Sequence, residues 1–165
     1  MGNALMSNLK LFIYAFALFI IHLLFYRYLS FGEIYPDLFL VLVVFAGLNK
    51  GPEAGSVAGF FCGLAQDSFS FAFFGLHALT KTVIGFAIGK IRHSFYSNNY
   101  LVQGAIILVA KMLHDIIYYT VYFPQGSNSY FRQIFLYSPL SAAYTCILGL
   151  GILFLINFRI RISSR

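Results

Sequence analysis

Charged residues are scarce in this sequence. Only 10% of its 165 residues are Asp, Glu, Lys or Arg, whereas a soluble domain carries about a quarter. So few charges cannot cover a surface that faces water, and 60% of the residues are hydrophobic, with a mean hydropathy of +0.81. The composition therefore predicts an integral membrane protein with lipid as its solvent.

The sequence also lacks the motifs that mark most enzymes and metal proteins. Its two cysteines, Cys62 and Cys146, lie inside apolar runs, which excludes a disulfide framework. The four histidines show no metal-ligand spacing. No phosphate-binding glycine loop, Gly-x-Ser-x-Gly elbow or Cys-x-x-Cys pair is present. We therefore expect no catalytic activity, no metal and no cofactor.

Long apolar runs are what the sequence has instead. A membrane-spanning helix needs roughly 20 apolar residues, and six runs approach that length. They predict an all-α bundle of six transmembrane helices forming a single domain over residues 1–165. The second and fourth runs are short, so five full spans remain an alternative. The predicted ranges are 11–29, 34–48, 54–73, 76–89, 100–123 and 134–158.

Basic residues between the runs predict the orientation. The net charge is +6. Because the basic residues lie between the apolar runs or after the last one, membrane topology explains them, and no nucleic acid partner is expected. Two basic residues, Arg27 and Arg132, fall on one side of the membrane, together with most of the tyrosines. Because cytoplasmic loops are enriched in Lys and Arg, the opposite side and both termini are predicted to be cytoplasmic. Seven basic residues fall there: Lys10, Lys50, Lys90, Arg92, Arg159, Arg161 and Arg165.

Glycine recurs every four residues along the third predicted helix. Small residues at this spacing let two helices approach closely in lipid, where no hydrophobic force drives association. The stripe either packs inside this protein, with Gly85 and Gly89 of the fourth helix as its counterpart, or binds a helix of a second protein. Its members are Gly51, Gly55, Gly59 and Gly63.

Four charged residues lie within the predicted helices at similar depth. An ionised group in the membrane is expensive, so it is expected to face the bundle and find a partner. The spacing predicts the pairs Asp67–Lys81 and Lys111–Asp115, or the crossed arrangement, with His77 and His114 as possible neighbours. The cluster is either a set of structural ion pairs or a site for a substrate, an ion or a proton.

The order of several short motifs resembles the bacterial rod-shape-determining MreD family. Pro36-Asp37-Leu38 opens an apolar run, Gly51-Pro52 leads into the glycine stripe, and Gly75-Leu76-His77-Ala78 follows it. The resemblance covers about residues 36–92 and continues more weakly to His114-Asp115. The positions that match the family pattern are Pro36, Asp37, Gly55, Gly59, Gly63, Asp67, Gly75, Leu76 and Ala78.

The resemblance implies a multi-pass protein of the bacterial cytoplasmic (inner) membrane that acts as a scaffold for cell elongation and peptidoglycan synthesis. Its implied partners are the single-span protein MreC and, through the wider complex, the MreB filament, the RodA glycosyltransferase and a penicillin-binding transpeptidase. The implied fold is similar to the S component of energy-coupling-factor transporters. The alternative is therefore an S-component-like solute-binding subunit or small transporter. An oligomeric channel is a third class, which the resemblance does not imply.

Overall fold

A computed structural model describes residues 32–69, 73–94, 99–123 and 127–163. These residues form helices and turns with no β-strand. The first predicted helix, 11–29, and the basic residues Lys10, Arg27 and Arg165 lie outside the described residues. The helices are α1 (Leu38–Lys50), α2 (Pro52–Asp67), α3 (Leu76–Ile91), α4 (Tyr100–Tyr122), α5 (Asn128–Arg132) and α6 (Ser138–Ser163).

The central helix is α1, which contacts α2, α3, α4 and α6. Its residues from Leu38 to Leu48 are buried, with Phe45 alone half-buried. A helix surrounded on all sides is expected to be apolar all round, and the sequence LFLVLVVFAGL fits that requirement. Asp37 caps the helix, since its Oδ1 accepts a hydrogen bond from the backbone N–H of Leu40 at 2.9 Å.

Two helix pairs flank α1. The closest pair is α2 with α3, and the second is α4 with α6. The turn from α1 to α2 passes through Gly51, whose φ of +97° is in the left-handed region, and Pro52 occupies the first turn of α2. Pro is well suited to that position because it has no N–H to leave unpaired.

Within the part of the chain that the structure describes, two helices are long and apolar enough to cross a membrane, namely Tyr100–Tyr122 and the continuous helical stretch Asn128–Ile152. The apolar helix α1 has 13 residues and rises about 20 Å at 1.5 Å per residue. That is shorter than the ~30 Å hydrocarbon layer, so α1 alone does not reach across it. Its residues are buried by the neighbouring helices.

Several helix bounds differ from the predicted ranges. The third predicted range extends to 73, but α2 ends at Asp67, because Ser68 and Phe69 turn the chain towards α3. The last range starts at 134, but helical structure begins at Asn128, where the Ser127 side chain accepts a hydrogen bond from the N–H of Tyr130. One π-helical turn, Gln133–Tyr137, joins α5 to α6.

Candidate functional site: a buried polar cluster beside a glycine seam

The ion pair between Asp37 and Lys81 lies at the centre of the polar cluster. Lys81 Nζ is 2.6 Å from Asp37 Oδ2, and the two side chains are 0% and 5% exposed. The N–H of Asp37 also donates to Thr145 Oγ1 at 3.1 Å. The residue that caps α1 therefore ties it to α3 by charge and to α6 by a hydrogen bond.

His114 links this pair to a second one. Its Nε2 lies 3.2 Å from Lys81 Nζ, and its Nδ1 lies 3.1 Å from Asp115 Oδ1. Because a carboxylate only accepts hydrogen bonds and an ammonium only donates them, the His114 proton must be on Nδ1 and the lone pair on Nε2. The ring is thus a neutral bridge between the two ion pairs.

The second ion pair joins Lys111 and Asp115 on successive turns of α4. The other carboxylate oxygen, Asp115 Oδ2, accepts from Ser138 Oγ at 3.0 Å, which connects α4 to the start of α6. Lys111 and Asp115 are among the buried residues. The structure therefore contains the Lys111–Asp115 contact that the spacing of four residues predicts, and it adds a hydroxyl partner.

Asp67 has a different role from the predicted one. The prediction that it pairs with Lys81 or Lys111 is wrong: its two oxygens accept hydrogen bonds from the backbone N–H groups of His77 and Ala78 at 3.0 and 2.9 Å. N–H groups in the first turn of a helix have no carbonyl partner within that helix. The helix dipole also favours a negative charge at this end of α3. Asp67 is 1% exposed, so the last residue of α2 caps α3 from within the bundle.

An aromatic ladder extends from the polar cluster along α4. The rings of His77 and His114 are stacked at 5.3 Å, those of His77 and Tyr118 at 4.3 Å, and those of Tyr118 and Tyr122 at 5.5 Å. His114, Tyr118 and Tyr122 recur every four residues and so share one face of α4. The ladder connects the buried charges with the end of α4.

The glycine stripe packs inside the protein, against α3. A β-carbon placed on Gly55 would overlap the backbone of Gly85, one on Gly59 would overlap that of Lys81, and one on Gly63 would overlap that of Ala78. Of the two interpretations left open by the sequence, the observed contacts are those of internal packing. We call this contact between α2 and α3 the glycine seam.

The glycine seam also includes Gly47 of α1 and the contacts between the end of α3 and the start of α2. A β-carbon built on Gly47 would lie 3.1 Å from the carbonyl oxygen of Gly85. The sequence did not identify Gly47 as a packing residue, because α1 is uniformly apolar. At the far end, Gly89 contacts the backbone of Pro52, and a β-carbon on Gly51 would lie 2.8 Å from Nη1 of Arg92.

The remaining family-pattern positions surround the same region. Gly75 precedes α3 with a left-handed φ of +96°. Leu76 and Ala78 are buried in the first turn of α3, and Pro36 is buried before Asp37. Sequence reasoning also missed Asp37 as a charged member of the cluster, because it read Asp37 only as the start of an apolar run. Its place directly before such a run, where a helix cap is expected, was the available signal.

No group of three or more His, Cys, Asp and Glu residues that could hold a metal ion occurs in ranges 32–69, 73–94, 99–123 and 127–163. The acidic members of the cluster are each engaged by a lysine or by backbone N–H groups. The arrangement can therefore hold helices in register and share protons among its side chains.

The family model of the rod shape-determining protein MreD matches residues 3–160 of this chain. The comparisons with curated proteins and with solved structures give no match. The matched range spans nearly the whole chain and includes the glycine seam and every member of the polar cluster. This protein is therefore a member of the MreD family of membrane proteins that take part in rod-shape determination.

Proposed function

We propose that this protein is a non-catalytic scaffold of the cell-elongation machinery in the bacterial inner membrane. It binds a single-span protein of the MreC type and, through that complex, is connected to the MreB filament and the wall synthases. The observation that carries the proposal is the family match over residues 3–160.

The packing of the described helices supports a rigid scaffold. The central helix α1 is buried, and the glycine seam holds α2 and α3 at backbone contact. Close-packed protein interiors have low compressibility and transmit strain. A partner that pushes on one helix of this bundle would therefore move the others with it.

The faces left for a partner helix are apolar and point away from the seam. On α3, Leu79 is 63% exposed, Val83 52% and Phe86 50%. Because the glycines are already occupied, we infer that a partner helix packs against an exposed face such as this one. Association there would depend on van der Waals packing, since lipid supplies no hydrophobic drive.

We propose the orientation that the basic residues predict. Lys50, Lys90 and Arg92 lie at one end of the α1–α2–α3 group, and Asp37, Asp67 and the start of α3 lie at the other. With the basic end in the cytoplasm, the polar cluster lies in the outer half of the membrane. Both chain termini are then cytoplasmic.

The rival interpretation, an S-component-like solute binder, finds less support. The polar atoms at the centre of the described bundle are paired with one another, so a polar solute would have to displace an ion pair. A groove of about 430 Å³ between α4 and the π-helical turn is open and lined mainly by apolar residues. Such a surface suits lipid or a helix better than a polar solute.

Site-specific photocrosslinking in living cells tests the proposed partner. A photoreactive residue at Leu79 or Val83 on the exposed face of α3 is expected to give an adduct with the single-span protein. The same residue at Ile107, which is 0% exposed, is the matched control and is expected to give none. Absence of any adduct, combined with failure of the two proteins to co-purify and tight binding of a small solute, would contradict the scaffold proposal.

A further inference from the structure

The end of the bundle that holds the polar cluster exposes phenylalanine where α2 passes into α3. Phe69 follows α2 and is 59% exposed, while Phe73 and Phe74 precede α3 and are 47% and 71% exposed. We call these three side chains the phenylalanine tip. The sequence between α2 and α3 contains no charged residue. Exposed apolar patches usually mark an interaction surface, and the depth of the tip and its backbone hydrogen bonds indicate the partner.

The helices on either side of the tip are too short to cross the hydrocarbon layer on their own. Helices α2 and α3 each have 16 residues, or about 24 Å at 1.5 Å per residue, against ~30 Å for the layer. The neighbouring helix α4 has 23 residues and rises about 35 Å, so it is long enough to span the layer. The end of α4 at Tyr122 therefore marks the level of the membrane surface.

Ring contacts place the tip just below that level. The His77 ring, in the first turn of α3, stacks on Tyr118 at 4.3 Å, one helical turn before Tyr122. Phe73 contacts Tyr122 itself, with 5.9 Å between the ring centroids. Because one turn of a helix rises about 5 Å, the tip fills roughly the last 5 Å of the layer, where α2 has ended and α3 has not begun.

Backbone N–H groups on both sides of the tip are bonded within the protein. Five such groups have internal acceptors, namely those of Ser68, Phe69, Leu76, His77 and Ala78. The first three donate to backbone carbonyls at 3.1 to 3.3 Å, and the last two donate to Asp67. The Ser68 hydroxyl also donates to the Leu64 carbonyl at 2.9 Å. Water would accept such hydrogen bonds itself, whereas hydrocarbon offers no acceptor and requires internal ones.

The next turn at the same end of the bundle has the opposite character. After α4, the chain enters α5 through Ser127, Asn128 and Ser129, which are polar, and the last two are exposed. Side chains of this kind suit water and headgroups. The apolar character of the phenylalanine tip is therefore particular to the α2–α3 connection.

We propose that the phenylalanine tip is a lipid-anchoring element, which inserts Phe69, Phe73 and Phe74 among acyl chains directly below the headgroups. Tyrosine, with one polar end, favours the headgroup level, whereas a phenylalanine ring has no polar group to keep it there. The anchor fixes the depth of the polar cluster in the membrane. Only the choice of the outer leaflet rests on the orientation proposed above.

Power-saturation EPR of nitroxide labels measures the depth of the tip. The full-length protein, with Cys62 and Cys146 replaced by Ala, carries one label at Phe69→Cys or Phe74→Cys, or at the control Asn128→Cys. Each protein is reconstituted alone in nanodiscs of phosphatidylethanolamine and phosphatidylglycerol. Molecular oxygen concentrates among acyl chains, whereas a neutral nickel chelate stays in water. The two tip labels are expected to meet oxygen and not the chelate, about 5–10 Å into the boundary between headgroups and chains, and the control label to meet the chelate.

A charge placed on the tip gives a second measurement. With the label kept at Phe69→Cys, Phe74→Asp is expected to move it outwards to the level of the Asn128→Cys label, because a carboxylate among acyl chains is unfavourable. Phe74→Leu keeps an apolar side chain and is the matched control, expected to leave the depth unchanged. Since Phe74 is 71% exposed, neither change removes a buried side chain.

Two results would overturn the proposal. Tip labels that meet the chelate as freely as the Asn128→Cys label would place the phenylalanines in water. Shielding from both oxygen and the chelate would place them against protein, in a second copy of this chain. An inverted topology would change the leaflet and leave the measured depth as expected, so the orientation and the anchor are tested separately.

Discussion

Lys81 is a lysine with no exposed surface in an apolar bundle. Such a side chain persists only if its charge is compensated, because an uncompensated buried charge is several kcal/mol unfavourable. Asp37 supplies the opposite charge and His114 a second acceptor. This residue therefore ties the N-terminal end of α1 to α3 and α4 at a single point.

Replacing Lys81 is expected to destabilise the protein strongly. Lys81→Met keeps the length of the side chain but leaves Asp37 buried without its partner, which is expected to lower the free energy of unfolding by about 3–5 kcal/mol. The control, Lys90→Met, removes an exposed lysine from the same helix and is expected to change it by under about 0.5 kcal/mol. Reversible unfolding in mixed micelles measures both.

The double variant Asp37→Asn/Lys81→Met separates the two possible causes. Removing both charges eliminates the buried unpaired carboxylate, so the double variant is expected to be more stable than Lys81→Met alone. Equal stability of the single and double variants would contradict the ion-pair account.

Asp67 is expected to matter through α3 rather than through a lysine. Asp67→Ala removes the acceptor for two backbone N–H groups, and loss of a helix cap typically lowers stability by about 0.5–2 kcal/mol. The adjacent change Ser68→Ala, at an exposed residue, serves as the control and is expected to have little effect. Amide hydrogen exchange at His77 and Ala78 reads out the cap, and unchanged protection in Asp67→Ala would contradict it.

At the scale of elements, the glycine seam decides how closely α2 and α3 approach. Gly59→Ala places a methyl group against the backbone of Lys81 and Thr82, and overpacking of this kind lowers stability by about 1–3 kcal/mol. Gly151→Ala is the matched control, because a β-carbon there meets nothing within 4 Å and Ala is the better helix former by up to about 1 kcal/mol. Thermal unfolding of the two variants should move in opposite directions, and equal shifts would mean that the seam is not close-packed.

The seam was predictable because its signal is local. Glycines four apart on one helix indicate a close neighbour whatever that neighbour is, and Gly85 and Gly89 supplied the matching surface. The ion pairs were less predictable. Lys111 and Asp115 meet because they are four apart on one helix, but Asp37 and Lys81 lie far apart in the sequence and meet only through the tertiary fold.

The role of Asp67 shows what depth alone cannot predict. Its position in the bundle is close to the expected one, but its partner is the N-terminus of α3. The backbone N–H groups of His77 and Ala78 lie within hydrogen-bond distance of the carboxylate, and neither lysine does. Similarly, the last helical stretch begins at Asn128, earlier than predicted. A hydropathy criterion starts the helix later, because Asn128 and Ser129 are polar.

For the whole molecule, the proposed orientation can be checked by the accessibility of introduced cysteines. In a background where Cys62 and Cys146 are Ala, Asn128→Cys and Asn49→Cys place a thiol at exposed residues near opposite ends of the bundle. A membrane-impermeant maleimide added to intact spheroplasts is expected to label Asn128→Cys alone, and Asn49→Cys only after lysis. The reverse pattern would invert the topology.

The central claim is that this packed bundle is required to keep the cell rod-shaped. The most direct measurement is cell shape by microscopy after depletion of the chromosomal copy, with variants of equal membrane abundance supplied in trans. Depleted cells are expected to become round, wild type and Gly151→Ala to restore rods, and Gly59→Ala and Lys81→Met to restore them poorly. Cells that remain rod-shaped without the protein would contradict the account.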